Sequence, residues 1–491
     1  MNNIKKKMII IIPILVLVII AIIITIVYFT TDLLKSNEEL FWKYFSQSED
    51  INDILVTDKI IEQEKFKKAN SYTSNGNIEF VLTHGEDSYK QFNVSTSARH
   101  DSNTNRTYKD AILKNGELEL FKVSYINSSD IYGIKCDDVF GSYVGIQNSN
   151  LTELASNYGI QNMPSSIEID EFINLLELND AQKQHLVDTY LPIITNHINS
   201  EQYEKTEESI DINGNNYNAN IYRVDLTSDV LYTILVECLN TLKTDTETLM
   251  IITSKLSNLG FSAEYTDNAN IIAKIDELIE NLQIEDNLTI SVYENDGNNI
   301  RTNIILGEKA NVIYDRLENS RNLSIDISYQ KSIKGMDSDE VIDLNTLAES
   351  SYVTTRIVIN RNVNTNNVTN NIQIIPNIQN LEEQIDLSLS MGNIQNDSIA
   401  NSYSISINKK ENEKQVTTTI NYDNNIAKAD TVEEIEELSG SNTAIANNYT
   451  KEQFSAFIKR WTNIFVDKLS EEMTTLGLEE ISRELDQINL E

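Results

Sequence analysis

The chain has 491 residues and is strongly acidic, since 75 Asp and Glu residues against 39 Lys and Arg residues give a formal net charge of −36. Nucleic acids and anionic membrane surfaces bind positive patches, so this charge argues against both as partners. Hydrophobic residues make up 40% of the chain, which indicates a folded protein and not a disordered acidic tail. Only 15 Gly are present, which argues against glycine-rich phosphate-binding loops.

Residues 8–29 form an uncharged, strongly apolar stretch. A helix of this length spans a hydrocarbon core of roughly 30 Å, whereas a cleaved signal has a shorter apolar region followed by small residues. Lysines at positions 5–7 precede the stretch, which places the N-terminus on the cytoplasmic side. The sequence therefore predicts a single-pass cell-membrane protein, with residues 1–7 cytoplasmic, residues 8–29 transmembrane and residues 30–491 extracytoplasmic.

Residues 30–70 are predicted to form a juxtamembrane helical region. Its first helix begins with an S-x-x-E capping box at Ser36. Alternating apolar and polar residues then predict an antiparallel meander over residues 71–137. Asn75-Gly76 and Asn115-Gly116 are interpreted as hairpin turns, because type I′ turns need positive φ at both central positions.

A largely helical block follows. Residues 143–160 predict a strand end and a short helix closed by Gly159, and Asn213-Gly214 predicts a hairpin turn. Apolar residues with a 3.6-residue period predict helices over residues 180–199, 228–243, 246–258 and 268–283.

Strand patterns recur from residue 285 to 421, with Asp296-Gly297 at one reversal. Their alternation means that one face of the sheet packs on other residues while the other face meets water. After an acidic, helix-like connector at 431–440, residues 451–476 form the most clearly amphipathic helix. Its aromatic stripe is expected to face the core and not a ligand.

These elements predict an α+β fold, in which an N-terminal transmembrane helix precedes antiparallel curved sheets packed on amphipathic helices. The soluble part is divided into two similar units. The first covers residues 71–200, and the second covers residues 201–491 with a long antiparallel sheet and a C-terminal helix.

Few residues suggest a chemical role. The chain has four histidines, His84, His100, His185 and His197, and two cysteines, Cys136 and Cys238. The histidines lack metal-ligand spacing and are expected to be solvated or capping residues. The cysteines could pair, but two separately buried thiols are favoured. No G-x-S-x-G motif is present. The sequence therefore predicts a protein that is not an enzyme, without catalytic residues, cofactor-binding residues or metal ligands.

Two acidic loops are the best candidates for calcium binding. They contain Asp337, Asp339, Glu340 and Asp343 in one loop, and Glu294 and Asp296 in the other. Calcium needs several oxygen ligands at about 2.3–2.6 Å, and neither loop has the spacing of an EF-hand. Solvated acidic hairpins are therefore the favoured interpretation.

Two segments, YVGIQNSNLTELASNYGI (143–160) and INGNNYNANIYRVDLTSDVLYTILVECL (212–239), resemble bacterial membrane-anchored proteins with a large acidic α+β extracytoplasmic domain. No activity is attached to such proteins. The resemblance therefore implies an architecture and no catalytic role.

The favoured function is a binding or structural protein of the bacterial cell envelope. Sheets that curve over helices can enclose an apolar groove for lipid or offer a surface to envelope proteins. Its partners would be the membrane, through residues 8–29, and a lipid or an envelope protein. The alternative is an extracytoplasmic hydrolase acting on cell-wall or peptide substrates, with His84 or His100 beside a strand-end acid.

Overall fold

The computed structural model describes residues 36–47, 54–84, 87–89, 92–128, 130–137, 139–158, 178–258, 266–330, 352–378, 381–411 and 414–475. Within them the helices are α1 Asn37–Phe45, α2 Thr57–Ala69, α3 Leu151–Tyr158, α4 Asp180–Asn196, α5 Ser228–Thr244, α6 Thr246–Asn258, α7 Asn268–Asn281 and α8 Lys451–Thr475.

The first group of strands is β1 Tyr72–His84, β2 Asp87–Tyr89, β3 Phe92–Asp101, β4 Arg106–Asn115, β5 Leu118–Ser128, β6 Ile131–Cys136, β7 Phe140–Gln147, β8 Tyr203–Ile212 and β9 Asn215–Leu226. The second group is β10 Leu288–Asn295, β11 Asn298–Leu306, β12 Ala310–Leu317, β13 Ser320–Gln330, β14 Tyr352–Val363, β15 Asn367–Ile378, β16 Leu381–Gly392, β17 Ser398–Glu411, β18 Lys414–Lys428 and β19 Thr443–Ile445.

All of these strands belong to one sheet of 19 strands in the described part of the chain. Strands β8 to β18 follow each other as antiparallel neighbours, β18 pairs with β1, and β1 pairs with β3. Strands β3 to β7 continue the sheet, and β19 adds a short parallel pairing to β7. The small strand β2 pairs with the end of β1 beyond β3.

Several turns form where local sequence predicts them. Asn213 and Gly214 have φ values of 54° and 81°, and Asp296 and Gly297 have 50° and 82°. Gly116, between β4 and β5, has a φ of 59°. These left-handed values suit Asn, Asp and Gly, so the predicted turns at Asn213-Gly214 and Asp296-Gly297 are confirmed. The chain also reverses after Asn115, but Asn115 itself belongs to β4 and only Gly116 has positive φ.

The sheet has two faces of opposite character. In an antiparallel sheet, residues directly opposite one another share a face, and alternate residues along a strand change face. One face, the apolar face, carries Val292 on β10 and polar Thr302 on β11. From β12 through β18 to β1, it then carries Tyr314, Leu323, Ile359, Ile372, Leu387, Ile405, Ile420 and Phe80. The other, the polar face, carries mainly Ser, Thr, Asn and Asp, paired by hydrogen bonds such as Ser404–Asn421 at 2.8 Å and Ser406–Thr419 at 2.9 Å.

Helices cover the apolar face at both ends of the sheet. Over β8 to β12 the largest core cluster joins α1, α4 and α5 to the strands, and it includes Phe41, Leu186, Ile234, Val224 and Ile290. At the other end, Phe465 of α8 lies 4.8 Å from Phe121 of β5, measured between ring centroids. The main core is therefore on the apolar face, while two smaller clusters, around Ile126 and around Ile210, lie on the other face near the two ends of the sheet.

Residues 54–69 cross the middle of the apolar face, where Ile54 and Val56 pack on the strands. The Asn370 side chain donates to the Ile54 carbonyl at 2.8 Å, and Arg361 donates to the Leu55 carbonyl at 2.7 Å. Gln63 of α2 is 2% exposed and donates to the Gly392 carbonyl at 2.9 Å, while Asn401 donates to Gln63 Oε1 at 2.8 Å. Because buried polar groups need partners, this network fixes where α2 lies on the sheet.

The predicted fold class is wrong. The two expected α+β units, 71–200 and 201–491, do not have separate sheets, because β1 from the first is paired along its whole length with β18 from the second. Local alternation predicts strands but says nothing about pairing between distant strands. The described fold is a single large sheet with helices on one of its faces.

Two local predictions are also wrong. Asn75-Gly76 is not a turn but lies inside β1, where a Cβ on Gly76 would sit 2.7 Å from the Asp423 carbonyl oxygen of β18. Glycine is needed there for close packing and not for positive φ. The connector at 431–440 is not helical; it packs Ile435 and Leu438 onto the sheet beside Ile126 and Tyr143.

Within the described residues, no helix combines the length and the apolar character needed to cross a membrane. The predicted anchor at residues 8–29 lies outside them, as does Gly159. We therefore withdraw the prediction of a single-pass cell-membrane protein with residues 30–491 outside the cytoplasm. The membrane as a partner through residues 8–29 stays a prediction.

The buried network around α2 gives a stability prediction. Gln63→Ala should lower the free energy of unfolding by about 2 kcal/mol, because it leaves buried groups of Asn401 and Gly392 without a partner. Urea denaturation of the full chain, followed by tryptophan fluorescence, measures this change. Gln415→Ala, at an exposed position of β18, is the matched control and should change the free energy by less than about 0.5 kcal/mol. Equal effects of the two substitutions would contradict the structural role of Gln63.

Candidate functional site

The candidate site is the part of the apolar face that no helix of the described residues covers. We call it the uncovered patch and define it by eight large, solvent-exposed apolar residues: Phe80, Leu82, Val123, Ile134, Ile385, Ile405, Ile407 and Ile420. Ile407 is 48% exposed and Ile134 is 50% exposed. Contiguous apolar surface of this kind is uncommon on a soluble protein and marks interaction sites.

Strand register brings together the patch residues of β16, β17, β18 and β1, although these strands come from distant parts of the sequence. Ile385 lies opposite Ile407, Ile405 lies opposite Ile420, and Ile420 lies opposite Phe80. On the far side of β1, half-buried Val94 and Leu113 continue this row as far as Phe121, which is buried against α8. Val123 and Ile134 form a second exposed group on β5 and β6. Strands are about 4.8 Å apart, so the apolar surface from β13 to β1 extends for about 30 Å.

The patch is continuous with the core on its other side. Leu389 and Tyr403 pack around Val56, where residues 54–69 cross the sheet. Leu387 and Ile405 are the next residues of the same face on these strands, and there the cover ends. The patch thus has the apolar composition of the core, but no described residue packs over it.

The predicted site residues are not brought together. His100 is 7% exposed; its Nδ1 lies 2.9 Å from Thr107 Oγ1, and its ring stacks on Tyr72. Burial lowers the pKa of His100, which keeps it neutral. The adjacent Asp101 accepts hydrogen bonds from Asn103 and Thr104 in the following turn. His84 ends β1, and its side chain lies outside the described residues.

His185 belongs to a polar cluster at the start of α6. Its Nε2 lies 2.9 Å from Asp245, which also accepts hydrogen bonds from Tyr190 at 3.1 Å and from the Thr248 backbone N–H at 3.1 Å. Asp245 is the C-cap of α5 and also caps the start of α6 by accepting from the Thr248 N–H, so the cluster joins α4 to α6. His197 lies 2.6 Å from Glu237 and joins α4 to α5. The polar contacts of His185 and His197 therefore connect helices, which accounts for both residues structurally.

Burial accounts for the two cysteines, and hydrogen bonding accounts for Glu294 in one of the acidic loops. Cys136 and Cys238 are both buried, lie in separate clusters and do not form a disulfide, as favoured from the sequence. Burial raises the pKa of Cys238 to about 12. Glu294 is buried, with its carboxylate accepting from Asn220 and from the Gly297 N–H at 2.6 Å each. The loop with Asp337 to Asp343 lies outside the described residues.

Among the residues that the structure describes, no group of three or more His, Cys, Asp or Glu side chains is placed to hold a metal ion. The aromatic stripe of α8 is only partly buried, with Ile458 39% exposed and Phe465 37% exposed.

The sequence alone does not predict the uncovered patch. Alternation in β16 to β18 was its only signal, and alternation cannot distinguish a covered face from an open one.

The Asp245 cluster gives a pH-dependent prediction. Burial alone would raise the pKa of Asp245, but hydrogen bonds from Thr248, His185 and Tyr190 outweigh it and lower the pKa. A carboxylate with a lowered pKa stabilises the fold above its unfolded pKa of about 4, and this stabilisation is lost as pH falls through the folded value. Asp245→Ala should therefore cost about 2 kcal/mol at pH 7 and clearly less in acid.

Urea denaturation at neutral and at acid pH measures this difference. Asp188→Ala, at an exposed position on α4, is the control and should have little effect at either pH. A cost for Asp245→Ala that did not change with pH would show that its charge is unimportant.

The comparisons with solved structures are weak. The chain is similar to the CymD monoaromatic hydrocarbon channel, with 6% identity and a TM-score of 0.18, over 77% of this chain and 93% of that one. It is similar to a mutant porin of Rh. blastica, with 8% identity and a TM-score of 0.16, over 72% and 99%. It is similar to the Ralstonia pickettii toluene transporter TbuX, with 4% identity and a TM-score of 0.15, over 73% and 89%. At such TM-scores these similarities support no conclusion about fold or function.

No curated protein sequence matches the chain. One family model matches residues 1–467, and its description is "Family of unknown function (DUF6583)". Because this match covers far more than half of the 491 residues, the chain belongs to the DUF6583 family.

Proposed function

We propose that this protein binds a ligand with a long acyl chain on the uncovered patch, and that it acts as a binding protein and not as an enzyme. The observation that carries the proposal is the row of exposed isoleucines on β16, β17 and β18, on the same face that elsewhere forms the core. Covering one such side chain is worth roughly 1.5–3 kcal/mol. A ligand that lies across several of them gains enough free energy to bind.

The composition of the patch favours an acyl chain over a protein surface. Its members are aliphatic apart from Phe80, and most are β-branched. Protein–protein interfaces are enriched in Tyr, Trp and Arg and carry about one hydrogen bond per 100–200 Å². An acyl chain needs no hydrogen bonds, and an extended, smooth aliphatic surface is complementary to it.

The edges of the sheet do not favour a partner that adds a strand. Edge strand β8 carries exposed charges at Glu204, Lys205, Glu207 and Glu208. Charged side chains on an edge oppose pairing with another chain. The other edge strand, β19, has only three residues. The face of the sheet, and not its edge, is therefore the better binding surface.

The proposal predicts that polar substitutions in the patch weaken binding without unfolding the protein. The double variant Ile405→Asn/Ile407→Asn should bind a pyrene-labelled fatty acid methyl ester more weakly by at least about tenfold, because two apolar contacts are lost. Its free energy of unfolding should change by less than about 1 kcal/mol, since both side chains are exposed already. Pyrene fluorescence titration measures the affinity.

Met250→Asn is the matched control, because Met250 is 63% exposed but lies on α6, away from the patch. It should leave the affinity unchanged. Loss of binding in both variants, or in neither, would contradict the assignment of the patch as the binding surface.

A further inference from the structure

The uncovered patch is connected to the start of α1 by one row of apolar residues. The Asn37 side chain of α1 donates to the Tyr203 carbonyl of β8 at 3.3 Å. Strand register leads from Tyr203 across the apolar face to Ile407 of the patch. Every position between them is a valine or an isoleucine: Val224, Ile290, Ile304, Val312, Ile325, Ile357, Ile374 and Ile385. The described chain therefore begins at one end of an unbroken apolar row that ends in the patch.

This row is covered at one end and open at the other. Val224 and Ile290 lie in the core cluster under α1, α4 and α5. Ile385 and Ile407, on the same row, are 39% and 48% exposed. Side chains of equal apolarity are thus buried near α1 and face solvent at the patch, which leaves room there for an apolar segment that lies across the strands.

Residues 8–29 match the open part of the row in composition and in length. They carry no charge, and 11 of the 22 are isoleucine. At 1.5 Å per residue, a helix of 22 residues would be about 33 Å long. The apolar surface from β13 to β1 extends for about 30 Å. Covering so many apolar side chains is strongly favourable, and the patch offers a surface of the required size.

The connection between this segment and α1 is long enough to reach the patch. Phe29 and Ser36 are seven residues apart, which allows at most about 24 Å in an extended chain. Strand β8, where α1 begins, lies five strand spacings from β13, which at about 4.8 Å each also gives about 24 Å. Phe29 can therefore reach β13, and the preceding residues can extend from there toward β1.

We infer that residues 8–29 bind the uncovered patch of their own chain, and that an acyl ligand must displace them in order to bind. The inference rests on the proposed function, because it concerns the regulation of the same surface. Both occupants are aliphatic and both cover the same isoleucines, so each excludes the other. The membrane, predicted as a partner of residues 8–29, would cover the same side chains of the segment. Insertion of the segment into lipid would therefore open the patch.

Photo-crosslinking of the full chain tests where residues 8–29 lie. Benzoylphenylalanine replaces Ile407, which is 48% exposed, and is irradiated in detergent-free buffer. Mass spectrometry of the peptides should place the crosslinks in residues 8–29, in a product with the mass of a single chain. Benzoylphenylalanine in place of Met250, which is 63% exposed on α6, is the matched control and should not crosslink to this segment.

Binding of the pyrene-labelled fatty acid methyl ester tests the competition. The ester should lower the yield of the crosslinks. Ile19→Asp/Ile23→Asp places two charges within the segment and should raise the affinity for the ester by about tenfold, as expected if the segment occupies the patch in about nine molecules of ten. Thr30→Asp/Thr31→Asp adds the same charges just outside the segment and should leave the affinity unchanged.

Three results would overturn the inference while binding of the ester leaves the proposed function intact. They are the absence of crosslinks from position 407 to residues 8–29, crosslinks only in a product with the mass of two chains, and an unchanged affinity in Ile19→Asp/Ile23→Asp. Crosslinks to residues 8–29 that the ester does not reduce, together with no binding of the ester by Ile19→Asp/Ile23→Asp, would instead overturn the proposed function.

Discussion

The pairing of β1 with β18 is the interaction on which the rest of the structure depends. All 13 residues of β1 are in register with β18, from Tyr72 opposite Lys428 to His84 opposite Val416. This ladder joins strands from the N-terminal third of the chain to strands from its C-terminal half. Without it, the described residues would form two open sheets with four edges, and neither would have a continuous apolar face.

That pairing also explains the glycine at position 76. Its neighbours on both sides, Asp423 of β18 and Thr96 of β3, would each lie 2.7 Å from a Cβ. Such distances leave no room for a side chain, so the ladder can close only around glycine. A dipeptide that suggests a turn in the sequence is therefore a packing requirement in the centre of the sheet.

Sequence patterns predict the local elements well because interactions between residues that are close in sequence determine them. The Asn213-Gly214 turn, the capping box at Ser36 and the helix Ser228–Thr244 all depend on residues within one or two turns of chain. The single sheet and the uncovered patch depend on which distant strands pair and on where helices come to rest. Alternation in β17 shows that Ile405 and Ile407 share a face, but not that residues 54–69 stop short of them.

The two faces of β17 provide an internal comparison for the uncovered patch. Ser404, Ser406 and Asn408 occupy the polar face and pair with neighbouring strands through their side chains. The chain therefore uses polar residues at solvent-facing strand positions where nothing else is required. At Ile405 and Ile407, between them, solvent exposure is 44% and 48%, yet the residues are aliphatic. Exposed isoleucines add little to folding stability and increase the risk of association, so folding alone does not account for them. The ligand proposed above, by covering them, would account for them.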